Sequence, residues 1–399
     1  MLEIIFAILI GILCGIITGL IPGIHINLVA TLLFINSAAF LSITSPLILA
    51  IFIISMTISH AFIDFLPSIF LGAPEQETAL SILPGHRLLL EGKGYEAIKL
   101  TSVGCLAGII IAGVLSIIFI PTLSLFYPAL SKIMAFLLIS LSLFLILKEK
   151  KNHKILAAFI FILAGILGYA VLNFSVIRQP LFPLFTGLFG TSLLTLSFFQ
   201  DVKIPKQSLK KTKINKKDLF KSLSLSVVSS SLVSFLPGLG SAQAGVIASS
   251  IKKIQEKSFL ILLGAVNSIT VLLSFVALYS INKPRSGVAV FVGKFLPNFS
   301  LSDLMILMVI ALIVGIILFP LTLFLARKFS RFIEKVNYKW LCFSIIIFLI
   351  ILTPIISGWL ALIVLITSTC LGIFCSLLGI KKIFLMGSLI LPVIIWYLI

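Results

Sequence analysis

Gly19-Leu20-Ile21-Pro22-Gly23-Ile24-His25-Ile26-Asn27 interrupts a long apolar run, and Ser234-Phe235-Leu236-Pro237-Gly238-Leu239-Gly240-Ser241-Ala242-Gln243 repeats the interruption in the second half of the chain. Proline removes a backbone donor and clashes with the preceding turn, while glycine loosens the chain, so each stretch is expected to break a helix. A broken helix at membrane depth persists only where its freed backbone groups face protein or a water-filled cavity. Paired breaks at corresponding places in two halves point to the binding site of a transporter.

The surroundings of both stretches are apolar. The chain is 60% hydrophobic and 11% charged, with a mean hydropathy of +1.28, whereas soluble chains carry roughly a quarter charged residues. Glu3 is the only charge before Asp64. Runs such as 2–20 and 301–326 approach or exceed the ~20 residues that cross a ~30 Å hydrocarbon layer. The expected fold class is therefore an all-α polytopic membrane protein. No positive region precedes residues 2–20, which read as a retained helix rather than a cleaved signal. The formal charge of +18 does not indicate nucleic acid as a partner. The lysines gather in short loops between apolar runs, where the positive-inside rule places them. The five cysteines lie inside apolar runs without metal-type spacing and read as small buried hydrophobes. No zinc-protease, Walker or nucleophile-elbow motif is present, so no enzyme and no cofactor is expected.

The two halves align in order. Pro74 and Ala79 fall on Pro284 and Ala289, Ala107-Gly108-Ile109-Ile110 on Val314-Gly315-Ile316-Ile317, and Phe185-Thr186-Gly187 on Leu385-Met386-Gly387. Their loops exchange charge. Residues 121–128, expected as the loop after a 100–120 span, carry no charge, while the corresponding loop holds Arg327, Lys328, Arg331, Lys335 and Lys339. The next loop of the first half holds Lys148, Lys150, Lys151 and Lys154, while its counterpart 353–358 is uncharged. Loops that swap sides mark an inverted-topology repeat with Pro-Gly broken-helix or re-entrant elements. The expected division is a first repeat at 1–200, a basic linker at 201–222 and a second, inverted repeat at 223–399. Charge places 148–154, 201–222, 252–257 and 326–339 in the cytoplasm and both termini outside the cell membrane. A re-entrant hairpin over 2–40 is favoured, although two full spans give the same parity.

Few residues can carry chemistry. His60 and Asp64 are spaced i, i+4 on one helix face, where the pair can relay a proton, fix a cation or form a structural hydrogen bond. A helix restarting after a Pro-Gly break aims N–H groups and a positive dipole end at its surroundings, which suits an anion. Pro22, Gly23, His25 and Asn27 at the first break, and Pro237, Gly238, Gly240, Ser241 and Gln243 at the second, are therefore candidates for binding substrate. Asn27 or Ser241 can equally cap the restarted helix. Glu75 and Glu77 follow Pro74 and suit either a first helical turn or an ion site. The matching insert carries Lys283 and Arg285, and Arg285 either meets an anion or snorkels. Asn267, inside an apolar span, serves an ion site or joins two helices.

With these residues in view, the chain resembles the large membrane subunit of tripartite tricarboxylate transporters, in a shorter form such as archaea carry. The resemblance rests on Pro22-Gly23, on Pro237-Gly238-Leu239-Gly240, and on Leu71-Gly72-Ala73-Pro74 followed by Ala79, Gly85, Leu88, Gly92 and Ala97. His25 and Glu75 stand where that family usually has glycine. The resemblance implies a secondary carrier for an organic anion such as a carboxylate, driven by a sodium or proton gradient. It further implies an extracytoplasmic binding protein and a small membrane subunit as partners, with break-containing parts moving against a scaffold at 130–199 and 340–398 across a homodimer. Membrane lipids surround it. The alternative is a polyprenyl-phosphate or other lipid-phosphate translocase, with a basic pocket built on Arg87 and Arg285.

Overall fold

A computed structural model describes residues 2–21, 26, 29–30, 33, 41–71, 82–150, 153–199, 204–209, 214–235, 240–251 and 254–398. Among them no strand occurs. Eight helical stretches are long and apolar enough to cross a membrane. In chain order the helices are α1 (Leu2–Leu20), α2 (Pro46–Ile63), α3 (Phe65–Phe70), α4 (Ile82–Leu90), α5 (Gly94–Lys132), α6 (Met134–Leu147), α7 (Lys154–Leu172), α8 (Leu181–Phe185) and α9 (Ser192–Phe199). There follow α10 (Lys216–Phe235), α11 (Ser241–Ile251), α12 (Glu256–Ile281), α13 (Gly287–Phe295), α14 (Leu301–Ile333), α15 (Tyr338–Ser357), α16 (Ala361–Leu377) and α17 (Gly387–Leu398). A π turn, Thr186–Thr191, joins α8 to α9, and a 3-10 turn, Lys382–Met386, leads into α17. Multiple apolar helices make this a multi-pass membrane protein.

The described part of α1 ends at Leu20 and that of α10 at Phe235, shortly before the two Pro-Gly pairs; Ile26 is helical, and α11 begins at Ser241. Residues 121–128, expected as a loop, are instead part of α5, which runs 39 residues through Pro121 and Pro128. The basic residues Arg327, Lys328 and Arg331 likewise sit on α14 and not in a loop. Each proline removes one rung of the ladder without ending the helix. The 201–222 linker also ends earlier than its lysines suggest. Asn215 Oδ1 accepts the Lys217 N–H at 3.0 Å, and α10 starts at Lys216.

The buried residues fall into separate cores. One joins α1–α5 to α10–α14, with Phe62, Phe65, Phe275 and Leu318 among its members. A second joins α6–α8 to α16 and α17, with Leu138, Ile160, Leu188, Phe384 and Ile390. A small cluster of Leu194, Cys342, Ile345 and Leu349 ties α9 to α15. In the second core, backbones cross in a matched way. A Cβ at Gly387 would overlap the Phe161 carbonyl and one at Gly168 the Ser388 carbonyl, where α17 meets α7. A Cβ at Gly187 would reach the Leu365 carbonyl and one at Gly372 the Leu188 carbonyl, where α8–α9 meets α16. Such contacts bring membrane helices close enough for dispersion to hold them.

Contacts also order the ends of the molecule. Arg87 pairs with Glu256, Lys257 Nζ lies 2.5 Å from Glu96, and the Arg327 guanidinium lies 5.7 Å from the Tyr95 ring centre. Lys381 pairs with Glu149. At the far end of α5 and α12, the Tyr127 ring lies beneath both Lys283 and Arg285. Hence α5 and α12 run parallel, and α14 runs against them. Ser124 and Arg331 lie at opposite ends.

Between the cores, the Gln207 side chain accepts the Gly94 N–H and donates to the Leu89 carbonyl. Its own N–H donates to Glu334 at 2.6 Å. Part of the segment read as a solvated linker is thus pinned to α4, α5 and the end of α14.

Candidate functional site

Helices α1 and α2 lie side by side, parallel, with Gly11 against Phe52 and Ser55, Gly15 against Met56 and Ser59, and Gly19 against Ile63 and Asp64. This register brings the last turn of α1, and so the start of the first break, level with Asp64. There α2 gives way to α3. Pro67 has no N–H for the Ile63 carbonyl, and the helix is interrupted at Asp64. Asp64 is 2% exposed, and its carbonyl accepts the Ser68 hydroxyl at 2.8 Å.

Three of the expected ion-site residues come together here. His60 is buried one turn before Asp64, with Nδ1 3.1 Å from Thr18 Oγ1 of α1. From α12, Asn267 Nδ2 donates to the Ala61 carbonyl at 3.4 Å. The Cys105 thiol of α5 donates to the same carbonyl at 3.7 Å, close enough to Asp64 for that carboxylate's charge to act on it. Three helices, α1, α5 and α12, thus converge on one turn of α2. Asn267 does join helices, as its simplest reading requires, and does so beside the buried acid.

The second break has a related position. Ser222 Oγ donates to the Ser258 carbonyl at 2.9 Å, so α10 and α12 also run parallel. By that register Phe235 lies level with Val271, roughly one turn beyond Asn267. Gly240 accepts the Ala244 N–H at 3.2 Å as α11 begins, and Ser241 is buried in its first turn. Pro22, Gly23, His25, Asn27, Glu75, Glu77, Pro237 and Gly238 lie outside the described residues, as does the Gln243 side chain.

Arg285 is elsewhere. It lies beyond the end of α12, roughly 20 Å along that helix from Asn267 at about 1.5 Å per residue. Its guanidinium lies 4.9 Å from the Tyr127 ring centre, with the Lys283 ammonium at 5.1 Å from the same ring. Tyr397 of α17 lies close enough to Tyr127 and Arg285 to interact with both, and the Arg285 N–H donates to Ser274 Oγ at 2.9 Å. Arg87 sits at the opposite end of α12 on Glu256, so the two arginines line no common basic pocket. His86 of the short helix α4 is held below its ordinary pKa by burial, countered in part by a hydrogen bond to the Ile69 backbone.

Sequence reasoning missed Thr18, Cys105, Tyr127, Tyr397 and Gln207. Thr18 had one usable signal: it is a hydroxyl on the last turn before a Pro-Gly pair. The others are single polar or aromatic groups whose partners lie far along the chain.

An uncharacterised protein of Methanocaldococcus jannaschii is 34% identical over 357 residues, covering 87% of this chain and 88% of that one. No solved structure matches the chain. The family described as the tripartite tricarboxylate transporter TctA family matches residues 5–387. With a family match over nearly its whole length and a relative 34% identical over most of both chains, the chain belongs to the tripartite tricarboxylate transporter TctA family.

Proposed function

We propose that the protein is a secondary active transporter that moves an organic anion, a carboxylate by family, across the membrane at the expense of a sodium or proton gradient. The observation that carries this is the placement of Asp64 at a helix kink, level with the end of α1 before Pro22-Gly23. Helix ends at the two breaks offer N–H groups to the anion, and His60, Asp64 and Asn267 hold the coupling ion. Glu75 and Glu77 belong to the same ion-handling set, and Arg285 to the substrate's outer approach.

The mechanism is alternating access, of an elevator type. The core of α1–α5 and α10–α14 moves, and α6–α9 with α15–α17 stays as scaffold. An inverted repeat of 1–200 and 223–399 is supported by two features. In each half the helix before the break runs parallel to the long helix after it, and the two pairs start from opposite ends of the molecule. In the scaffold, the crossing of α17 on α7 mirrors that of α8–α9 on α16. Helix α11 has 11 residues and covers roughly 16 Å, half of a ~30 Å hydrocarbon layer, which favours a re-entrant hairpin.

Its setting is the cell membrane, with the linker and the Arg331 end in the cytoplasm and both termini outside. A homodimer, an extracytoplasmic binding protein and a small membrane subunit complete the assembly. Reconstituted protein is expected to take up at least one labelled carboxylate under an imposed sodium or proton gradient. Absence of flux across a panel of carboxylates under both gradients would refute the reading. Orientation has its own test. In intact cells an impermeant thiol reagent is expected to label Ser124→Cys but not Arg331→Cys; equal labelling removes the inverted arrangement.

A further inference from the structure

One polar contact crosses the tight face between α1 and α2, that of Thr18 with His60. Thr18 Oγ1 donates to the Gly15 carbonyl at 3.2 Å and lies 3.1 Å from His60 Nδ1. Whichever of the two groups donates, the contact holds the Nδ1 edge of the imidazole against the last turn of α1. Both side chains are buried, at 4% exposure each, so the bond does not exchange with water. Gly15 makes it reachable, since any larger residue would press on Met56 and Ser59 and push α1 away from His60.

Thr18 also occupies the last turn of α1, four residues before Pro22. A shift of the chain at the break therefore reaches His60 through one hydrogen bond, and a change in the charge of His60 reaches the break the same way. We infer that Thr18 is the positioning residue that couples the ion site at His60 and Asp64 to the first Pro-Gly break. The inference rests on the transport reading above and adds to it the connection between ion and substrate. Thr18 touches neither in this role. It orients the imidazole and transmits its displacement.

The test uses the full chain in proteoliposomes, with Thr18→Val removing the hydroxyl at constant shape and Thr18→Ser retaining it. Three quantities are read: uptake against sodium or proton concentration, the ion-to-substrate ratio, and gradient-independent substrate exchange. Thr18→Val is expected to raise the ion concentration for half-maximal uptake by about tenfold, within the usual range of coupling between sites. Its ion-to-substrate ratio is expected to fall while exchange persists, and Thr18→Ser is expected to behave as wild type. Wild-type ion dependence in Thr18→Val overturns the inference. Equal loss of uptake and exchange in Thr18→Val, with a lowered melting temperature, also overturns it by showing a packing role alone. A wild-type protein without gradient-driven uptake overturns the transport reading itself, a result distinct from either.

Discussion

Gradient-driven uptake is expected to fall by about 100-fold or more in Asp64→Asn, equal to roughly 2.7 kcal/mol of lost driving interaction. The protein is expected to remain as stable as wild type. A carboxylate held inside a membrane protein costs roughly 2.5–3.5 kcal/mol on insertion scales, so its neutral isostere removes a burden from the fold. Asp64 is 2% exposed, and the kink that presents it is made by Pro67, which the substitution leaves in place. Function lost at constant stability is what separates an ion site from a structural pair. His60→Ala is expected to follow the same pattern with a smaller loss, because the kink and the acid survive it. Thermal melting in detergent and uptake in proteoliposomes measure the two quantities. Normal uptake by both variants would remove the coupling assignment.

Gly264→Val is expected to produce the largest structural effect, a loss of about 3 kcal/mol or more. A Cβ at Gly264 would overlap the Thr101 carbonyl, and on the facing helix a Cβ at Gly104 would overlap that of Ile261. Two backbones in contact cannot yield as side chains do, so α5 and α12 must separate. The Asn267 and Cys105 bonds to Ala61 sit beside this crossing and would be strained with it. Gly113→Val on the same helix α5 is the control, since nothing lies within 4 Å of its added Cβ. It is expected to change stability by less than about 0.5 kcal/mol. Melting temperatures of the pair in detergent decide the point; matching values would mean that the crossing is looser than its backbone contacts indicate.

The membrane class was legible because composition alone excludes a soluble core. Helix ends were less legible. Residues 121–128 contain two prolines and no charge, which reads as a loop, yet α5 continues through them. Arg327 and Arg331 read as loop residues because charge was used to end the span, whereas α14 runs on to Ile333. Charge marks the membrane boundary and not the helix boundary.

The site was partly legible for a similar reason. His60 and Asp64 share a face by spacing alone, and both are rare residues for their surroundings. Thr18 reaches His60 only through the register of α1 on α2, which three glycines set and no local pattern announces. Alignment of the halves also has limits. Gly108 approaches the Ala265 backbone of α12, whereas its counterpart Gly315 meets the Ile109 side chain of α5, so matched glycines serve different contacts. Gly187 and Gly387, by contrast, each abut a backbone carbonyl of the helix they cross.

The chain leaves the first core for the second at Ile133, a single residue between α5 and α6, and leaves it for the small third cluster at 334–337, between α14 and α15. Four residues stretch at most about 14 Å, and one residue scarcely at all. Any stroke longer than this tether must draw extra length from the last turns of the helices themselves. Pro128 lies in just such a turn of α5, already lacking one rung of its ladder. On the elevator reading proposed above, the reach of the moving core is therefore written into these two short joints, and a stiffer residue there would shorten its travel before it touched its chemistry.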